Sequence, residues 1–156
     1  MRITICAVGR LKPGPERALV DDYLSRLDRT GKPLALGPAR VVELDERKVA
    51  TRTAQSAAIQ KTLSPGTLTV ALDERGVSWT SRDLAEKVAH WRDHGQSELA
   101  FLIGGADGLD PELRNKAEVN LSLGAMVWPH MLARVMLAEQ LYRATTILAG
   151  TPYHRE

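Results

Sequence analysis

The sequence predicts an α/β fold: a mostly parallel sheet flanked by helices on both faces. Two observations carry this. Strand-like and helix-like stretches alternate along the whole chain, in the order β-α-β-α-β-α-β-α-β-α. Two late strands each run into a glycine-bearing loop, and such loops are where an open α/β sheet usually holds a ligand. At 156 residues, with 44% hydrophobic and 26% charged residues, the chain is long enough for one domain spanning 1–156 with a real core. No repeat, low-complexity run or linker divides it.

The elements follow in order. Arg2 to Val8 is a strand rich in β-branched residues. The loop Gly9-Arg10-Leu11-Lys12-Pro13-Gly14 carries two cations, and Pro15 suits the first turn of the helix Glu16 to Arg29. Ala18, Leu19, Tyr23, Leu24 and Leu27 fall near one face of that helix. Ala39 to Leu44 is the second strand, and Asp45 to Leu63 reads as a helix whose outer side holds Arg47, Lys48, Arg52, Gln55 and Lys61. Those cations suit either a solvated face or an RNA patch. Thr67 to Leu72 is the third strand, with Asp73 to Gly76 as the loop beyond it. Thr80 or Ser81 caps the helix Arg82 to His94, whose Leu84, Val88 and Trp91 have the spacing of a buried stripe.

The last third is the densest. Leu99 to Ile103 is a strand ending in Gly104-Gly105-Ala106-Asp107-Gly108, a run that fits a ligand loop or a tight strand-to-helix turn. Asp110 caps a short helix with Pro111 in its first turn. Leu121 to Trp128 reads as a strand closed by Pro129-His130. The helix Met131 to Ala149 is apolar nearly all round, so it is buried on more than one side, and one side suits a second subunit. The tail holds Tyr153, His154 and Arg155: an aromatic ring, an imidazole and a cation, all suited to recognising a base or a phosphate, although such tails also fray.

Several function classes are disfavoured. There is no Walker-type phosphate loop, and neither glycine loop matches the dinucleotide fingerprint. No His-Glu-x-x-His or paired cysteines suggest zinc, so no metal is expected. His90 and His94 offer two ligands only and read as helix surface. The single cysteine, Cys6, sits in an apolar strand and reads as an inert buried thiol, suited to a reducing cytoplasm. No apolar run approaches the roughly 20 residues of a membrane span, and the start reads as a strand rather than a signal peptide. The net charge of +2 is low for a free nucleic-acid binder, so any RNA-binding charge must be focused locally or doubled by dimerisation.

One combination of motifs is distinctive. Leu102-Ile103-Gly104-Gly105-x-x-Gly108, Leu121-Ser122-Leu123, Pro129-His130-x-Leu132-x-Arg134-Val135, Glu139-Gln140-Leu141-Tyr142-Arg143-Ala144 and the terminal Pro152-Tyr153-His154-Arg155-Glu156 together resemble the RlmH family. These are small SPOUT-class methyltransferases acting on a pseudouridine of large-subunit ribosomal RNA. The resemblance spans the chain and is weakest between about residues 31 and 64. It implies a SPOUT fold with a C-terminal trefoil knot, a homodimer, S-adenosylmethionine as cofactor and the assembled ribosome as substrate. It also implies cofactor contacts at Leu72, Gly104, Leu123, Gly124, Ala125, Met126, Val127 and Trp128. Ala106-Asp107 stands where other members often have Pro-Glu, and Trp128 is bulkier than the leucine expected there.

The implied acceptor, N3 of pseudouridine, is mostly protonated at neutral pH. Attack on a methyl group therefore needs a base, or a cation that stabilises the imide anion. His130, His154 and Arg155 are the candidates, with Tyr153 able to stack on the base. Arg134 and Arg143 are candidates for holding phosphates or the tail; the alternatives are a carboxylate partner such as Glu139 for Arg134 and a helix-end role for Arg143. Two other functions fit the same features: a SPOUT methyltransferase of a tRNA nucleoside, and a non-catalytic ribosome-binding module.

Overall fold

In a computed structural model that describes residues 1–155, the parallel sheet is present, with five strands in the order β2-β1-β4-β3-β5. The strands are β1 (Arg2–Val8), β2 (Ala39–Leu44), β3 (Leu68–Ser78), β4 (Glu98–Ile103) and β5 (Val119–Ser122). The helices are α1 (Pro15–Gly31), α2 (Arg52–Thr62), α3 (Ser81–Asp93), α4 (Pro111–Lys116) and α5 (His130–Leu148), with a single 3₁₀ turn at Lys32–Leu34.

Alternation along the two central strands builds a core on each face. On one side Ile3, Ile5 and Ala7 of β1 and Leu99, Phe101 and Ile103 of β4 pack against α1, α3 and α5. On the other, Cys6, Val8, Ala100 and Leu102 meet Ile59 of α2 and Leu113 of α4. The thicker layer has α5 in contact with both α1 and α3. Leu84, Val88 and Trp91 are buried as their spacing predicts, and Thr80 caps α3 in a reciprocal capping box with Asp83. On α1 Leu24 and Leu27 are buried as expected and Val20 joins them, while Leu19 is 44% exposed. Burial raises the pKa of the Cys6 thiol, which fits an inert core position. Among the described residues, no helix is long and apolar enough to cross a membrane.

Three elements depart from the sequence reading, all at the carboxyl ends of the strands. The helix expected from Asp45 starts only at Arg52, because the Thr51 side chain accepts the Ala54 N–H and caps it there. The third strand does not stop at Leu72 but runs to Ser78, with an irregular excursion between Leu72 and Val77, both of which register with Leu121. The fifth strand is Val119–Ser122, and the run to Trp128 leaves the sheet. Its apolar residues suggested a strand, but the sheet has no further strand beyond β5 for them to pair with.

The excursion in β3 is tied down by charge. Arg114 of α4 donates to Asp73 at 2.6 Å, and Arg75 donates to the same carboxylate. Burial pushes the Asp73 pKa up, but these two arginines outweigh it and hold the carboxyl down to about 2. Because the folded-state value lies below the ordinary one, this stabilisation is complete above about pH 4 and is lost as pH falls towards 2. Arg114→Ala is therefore expected to lower stability by about 1 kcal/mol at neutral pH. Urea unfolding of the variant and the parent should show that deficit shrinking below about pH 4; a deficit independent of pH would assign the loss to packing instead.

Candidate functional site

The implied cofactor residues converge at the carboxyl edge of the sheet, where three loops meet. The first is the β3 excursion after Leu72. A Cβ on Gly76 would collide with the Asn120 carbonyl, so only glycine lets β3 pass so close to β5. The second is the loop after β4. A Cβ on Gly104 would collide with the Gly108 backbone, and Gly105 and Gly108 pair across a tight turn with an N–H···O distance of 3.0 Å. The loop's own folding thus already requires Gly104, which is the turn reading of that motif. Gly105 lies against α2: a Cβ there would sit 3.3 Å from Val8 and 3.5 Å from the Gln55 side chain.

The third loop, residues 123–129, joins β5 to α5. The Ser122 hydroxyl anchors its start, lying 3.2 Å from the Glu74 carbonyl and 3.0 Å from the Gly124 carbonyl, and accepting the Gly124 N–H at 3.1 Å. Gly124 has φ +114° and open space where a side chain would be. Beyond it Met126 is 67% exposed and Val127 81%, and Trp128 is exposed as well. At its far end His130 lies against Gly9, 3.4 Å from where a Gly9 Cβ would be, at the end of β1. β5 is the edge strand and β1 lies three strands away. The loop must therefore cross about 14 Å of sheet edge, which seven residues can span with slack to bend. Leu123 to Trp128 therefore join the β5 end of the sheet edge to its β1 end, the edge at which the Gly104 turn also lies, and Leu123 and Gly124 line a cavity together with Ser78 to Ser81.

Arg134, one turn beyond His130, holds this crossing in place. It is fully buried, donating at 2.8 Å to Glu43 of β2, at 3.2 Å to the Gly9 carbonyl and at 3.3 Å to the Val8 carbonyl. Burial lowers its pKa. Glu43 also accepts the Leu11 N–H at 2.9 Å and Arg17 at 2.7 Å. Burial pushes the Glu43 pKa up, but these donors outweigh it and leave the carboxyl below its ordinary range. The partner of Arg134 is thus a carboxylate, but Glu43 rather than Glu139, and its buried guanidinium faces protein rather than a phosphate. Glu43 could be suspected from the sequence only as the lone acid at the end of an apolar strand.

The tail folds back on the middle of α5. Tyr153 donates to Glu139 at 3.0 Å, and Arg143 donates to the same carboxylate. The Arg143 guanidinium lies 4.9 Å from the Tyr153 ring centroid, and the Tyr142 and Tyr153 rings are 4.7 Å apart. Arg143 also approaches the His154 Nδ1, at 3.4 Å. Burial first, and then the Glu139 carboxylate, raise the Tyr153 pKa, so its hydroxyl stays protonated. Arg143 therefore holds the tail rather than the helix end. Arg155 is exposed, and Glu156 lies outside the described residues. Glu139 is nine residues from His130, about 13 Å along the helix. One chain does not bring His130 together with Tyr153, His154 and Arg155. His90 and His94 stack on each other at 3.9 Å on α3, away from this edge.

A family model described as a predicted SPOUT methyltransferase matches residues 1–154. The chain belongs to the SPOUT methyltransferases. Within them it is 60% identical, over 99% of both chains, to a protein of Ruegeria pomeroyi named ribosomal RNA large subunit methyltransferase H. It is 61% identical, with the same coverage, to a protein of that name from Dinoroseobacter shibae. Whole-chain identity at this level places it with the RlmH group that its motifs resemble. A solved structure of a probable methylase family protein from Haemophilus influenzae has the same fold, with TM-score 0.52 at 15% identity, covering 99% of this chain and 70% of that one.

In this SPOUT methyltransferase the tail depends on one carboxylate. Glu139→Ala removes the acceptor of both Tyr153 and Arg143 and is expected to release the tail. Carboxypeptidase trimming should then run at least several-fold faster than in the parent, with the thermal midpoint little changed; equal trimming rates would mean that ring stacking alone retains the tail.

Proposed function

We propose that the chain is an S-adenosylmethionine-dependent methyltransferase that modifies N3 of a pseudouridine in the large-subunit ribosomal RNA of the assembled ribosome, working in the cytoplasm as a homodimer. The observation that carries this reading is the crossing loop 123–129, in a chain 60% identical to proteins named for large-subunit ribosomal RNA methylation. The family's C-terminal trefoil knot belongs to the same reading. It is supported by the path of that loop from β5 across the strand ends to Gly9.

The residues at the crossing fit such a cofactor. Gly124 leaves open space beside the main chain, exposed Met126 and Val127 offer apolar walls, and Leu72, in register with Leu121 at the end of β5, is the apolar residue β3 would add. The bound cofactor would supply an electrophilic methyl group on a sulfonium sulfur and needs no metal. Among the described residues, no group of three or more metal-ligating side chains sits together. The acceptor N3 must lose its proton as the new bond forms, so a cation close to the imide lowers the barrier. Arg155 is exposed and free of the Glu139 cluster, which suits it to that role, while Tyr153 and His154 position the base. His130 stands near Glu46 at the other end of the crossing and is the second candidate for receiving the proton.

The separation of His130 from the tail supports a site completed by a second copy, with the tail of one chain reaching the crossing loop of the other. So does an apolar face on the α1 and α5 side. There a cavity of about 580 Å³ is lined by Tyr23, Trp79, Leu84, Leu123 and Val135, and Leu19, Met131 and Leu132 are about 40% exposed. Faces of this kind mark protein contacts more often than they face water.

Deleting residues 153–156 tests the division of labour. Cofactor binding by calorimetry is expected to stay within about twofold, while methyl transfer to ribosomes falls by at least about 10³-fold, the scale of losing positioning and charge stabilisation together. Nucleoside mass analysis of the parent reaction should find N3-methylpseudouridine in the large subunit. Label in a tRNA nucleoside would replace the acceptor, and cofactor binding with no transfer to any RNA would favour the ribosome-binding module.

A further inference from the structure

The carboxyl edge of the sheet is electrically lopsided. β1 and β2 run side by side, with Val8 in register with Leu44 and the Gly9 N–H donating to the Leu44 carbonyl at 2.8 Å. The loops that follow them, residues 9–14 and 45–52, therefore emerge together. Between them they carry Arg10, Lys12, Arg47, Lys48 and Arg52 against Asp45 and Glu46, an excess of positive charge greater than the +2 of the whole chain. All five cations are exposed, and Arg47 is 82% exposed even while it chelates Asp45. Asp45 binds the two loops electrically: its carboxyl is held to about 2 chiefly by Arg47, with Arg10 adding to the effect from the neighbouring loop. The rest of the edge is different. The loop after β4 carries Asp107 and Asp110, and the crossing loop 123–129 carries no charge.

The basic end is also continuous with the candidate site. Gly9, at the root of one basic loop, touches His130 and faces Glu46. Gln55, one turn into the helix that begins at Arg52, lies against Gly105 of the glycine turn. A polyanion lying across Arg10, Lys12, Lys48 and Arg52 would thus run directly past His130 towards the uncharged crossing loop.

We propose that the loops 9–14 and 45–52 form a docking surface for the ribosomal RNA backbone. It takes phosphates flanking the acceptor nucleotide so that the base itself projects onto the neutral crossing loop. This rests on the reading of the chain as a ribosomal RNA methyltransferase and adds the surface that binds the substrate. Charge complementarity selects the partner: an exposed, mixed-loop array of arginine and lysine, with Leu11 buried beneath it and no aromatic side chain in either loop, suits phosphates rather than a protein face. The surface also explains how a chain of small net charge addresses RNA, since only the local field at the strand ends matters to a strand lying there.

The test compares two double variants of the full-length protein. Lys12→Glu with Arg52→Glu reverses the surface, and leaves the Asp45–Arg47 pair intact. Lys61→Glu with Lys87→Glu makes the same charge change on exposed positions at the end of α2 and on α3. Binding to purified ribosomes is measured by co-sedimentation across a range of salt concentrations, alongside cofactor affinity by calorimetry and methyl transfer by the parent. The surface variant is expected to bind ribosomes at least about tenfold more weakly, with the salt slope reduced by about one for each phosphate no longer neutralised, and with cofactor affinity unchanged. The control pair should bind like the parent. Equal losses in both variants, or a surface variant with the parent's affinity and salt slope, would overturn the docking surface. Failure of the parent to methylate ribosomes would instead count against the proposed reaction, while the relative binding of the variants would still judge the surface.

Discussion

The buried pair between Arg134 and Glu43 fixes where the C-terminal third of the chain can go. A guanidinium with no solvent exposure is tolerable only where acceptors surround it, and here Glu43 and the Val8 and Gly9 carbonyls do so. Glu43 in turn carries Leu11 and Arg17, so β1, β2, the loop between β1 and α1, and the start of α5 share one electrostatic network. Removing Glu43 would leave the Arg134 guanidinium buried without a counter-charge, which typically costs several kcal/mol, whereas Glu43 would keep Arg17 if Arg134 were lost. The consequence for architecture is geometric. With the first turn of α5 held at β1, and β5 at the far edge of the sheet, the residues between them have no route except across the strand ends.

That route creates the surface on which the proposed chemistry depends. A loop stretched over the carboxyl ends of parallel strands presents main chain and side chains to one shared space, the usual position of a ligand in an α/β sheet. Here the loop is uncharged and apolar, with Gly124 in a conformation that a side chain would strain. Its neighbours are rigid for independent reasons: Gly76 is required by the close approach of β3 to β5, Gly104 by its own turn, and the β3 excursion that contains Gly76 is held by Asp73 and Arg114. Preorganisation of this kind means that little loop ordering remains to be done when a ligand binds.

The sequence made the fold legible because strand and helix signals agree with the sheet at nearly every element. Even the buried stripe of α3 and the cap at Asp110 are local features that local reasoning can reach. The misses have separate physical causes. Leu121 to Trp128 looks like a strand on composition, but strandedness needs a partner, and β5 ends the sheet. The stretch Asp45 to Thr51 looks helical until Thr51 takes the capping position. The site was legible as a set of motifs but not as a set of partners. Nothing in the spacing of Glu43 and Arg134, 91 residues apart, announces their pairing, whereas Glu139 and Arg143, four apart on one helix, could have been paired by spacing alone.

Net charge is a poor summary of what such a chain can bind, and the reason is spatial. Many of its arginines are held by carboxylates of the fold: Arg134 and Arg17 on Glu43, Arg2 and Arg40 on Glu98, Arg114 and Arg75 on Asp73, Arg143 on Glu139. Each of these carboxylates offsets part of the charge of the arginines on it and weakens their field a Debye length away. What a polyanion at the strand ends feels is the local remainder, and five cations, Arg10, Lys12, Arg47, Lys48 and Arg52, stand together after β1 and β2, beside His130 and next to the neutral crossing loop. A strand drawn in by that field would have its backbone held at the basic end and its bases free over a surface that offers shape and main-chain contacts rather than charge. Capture and chemistry then fall to neighbouring parts of one sheet edge, and a single small domain can serve both.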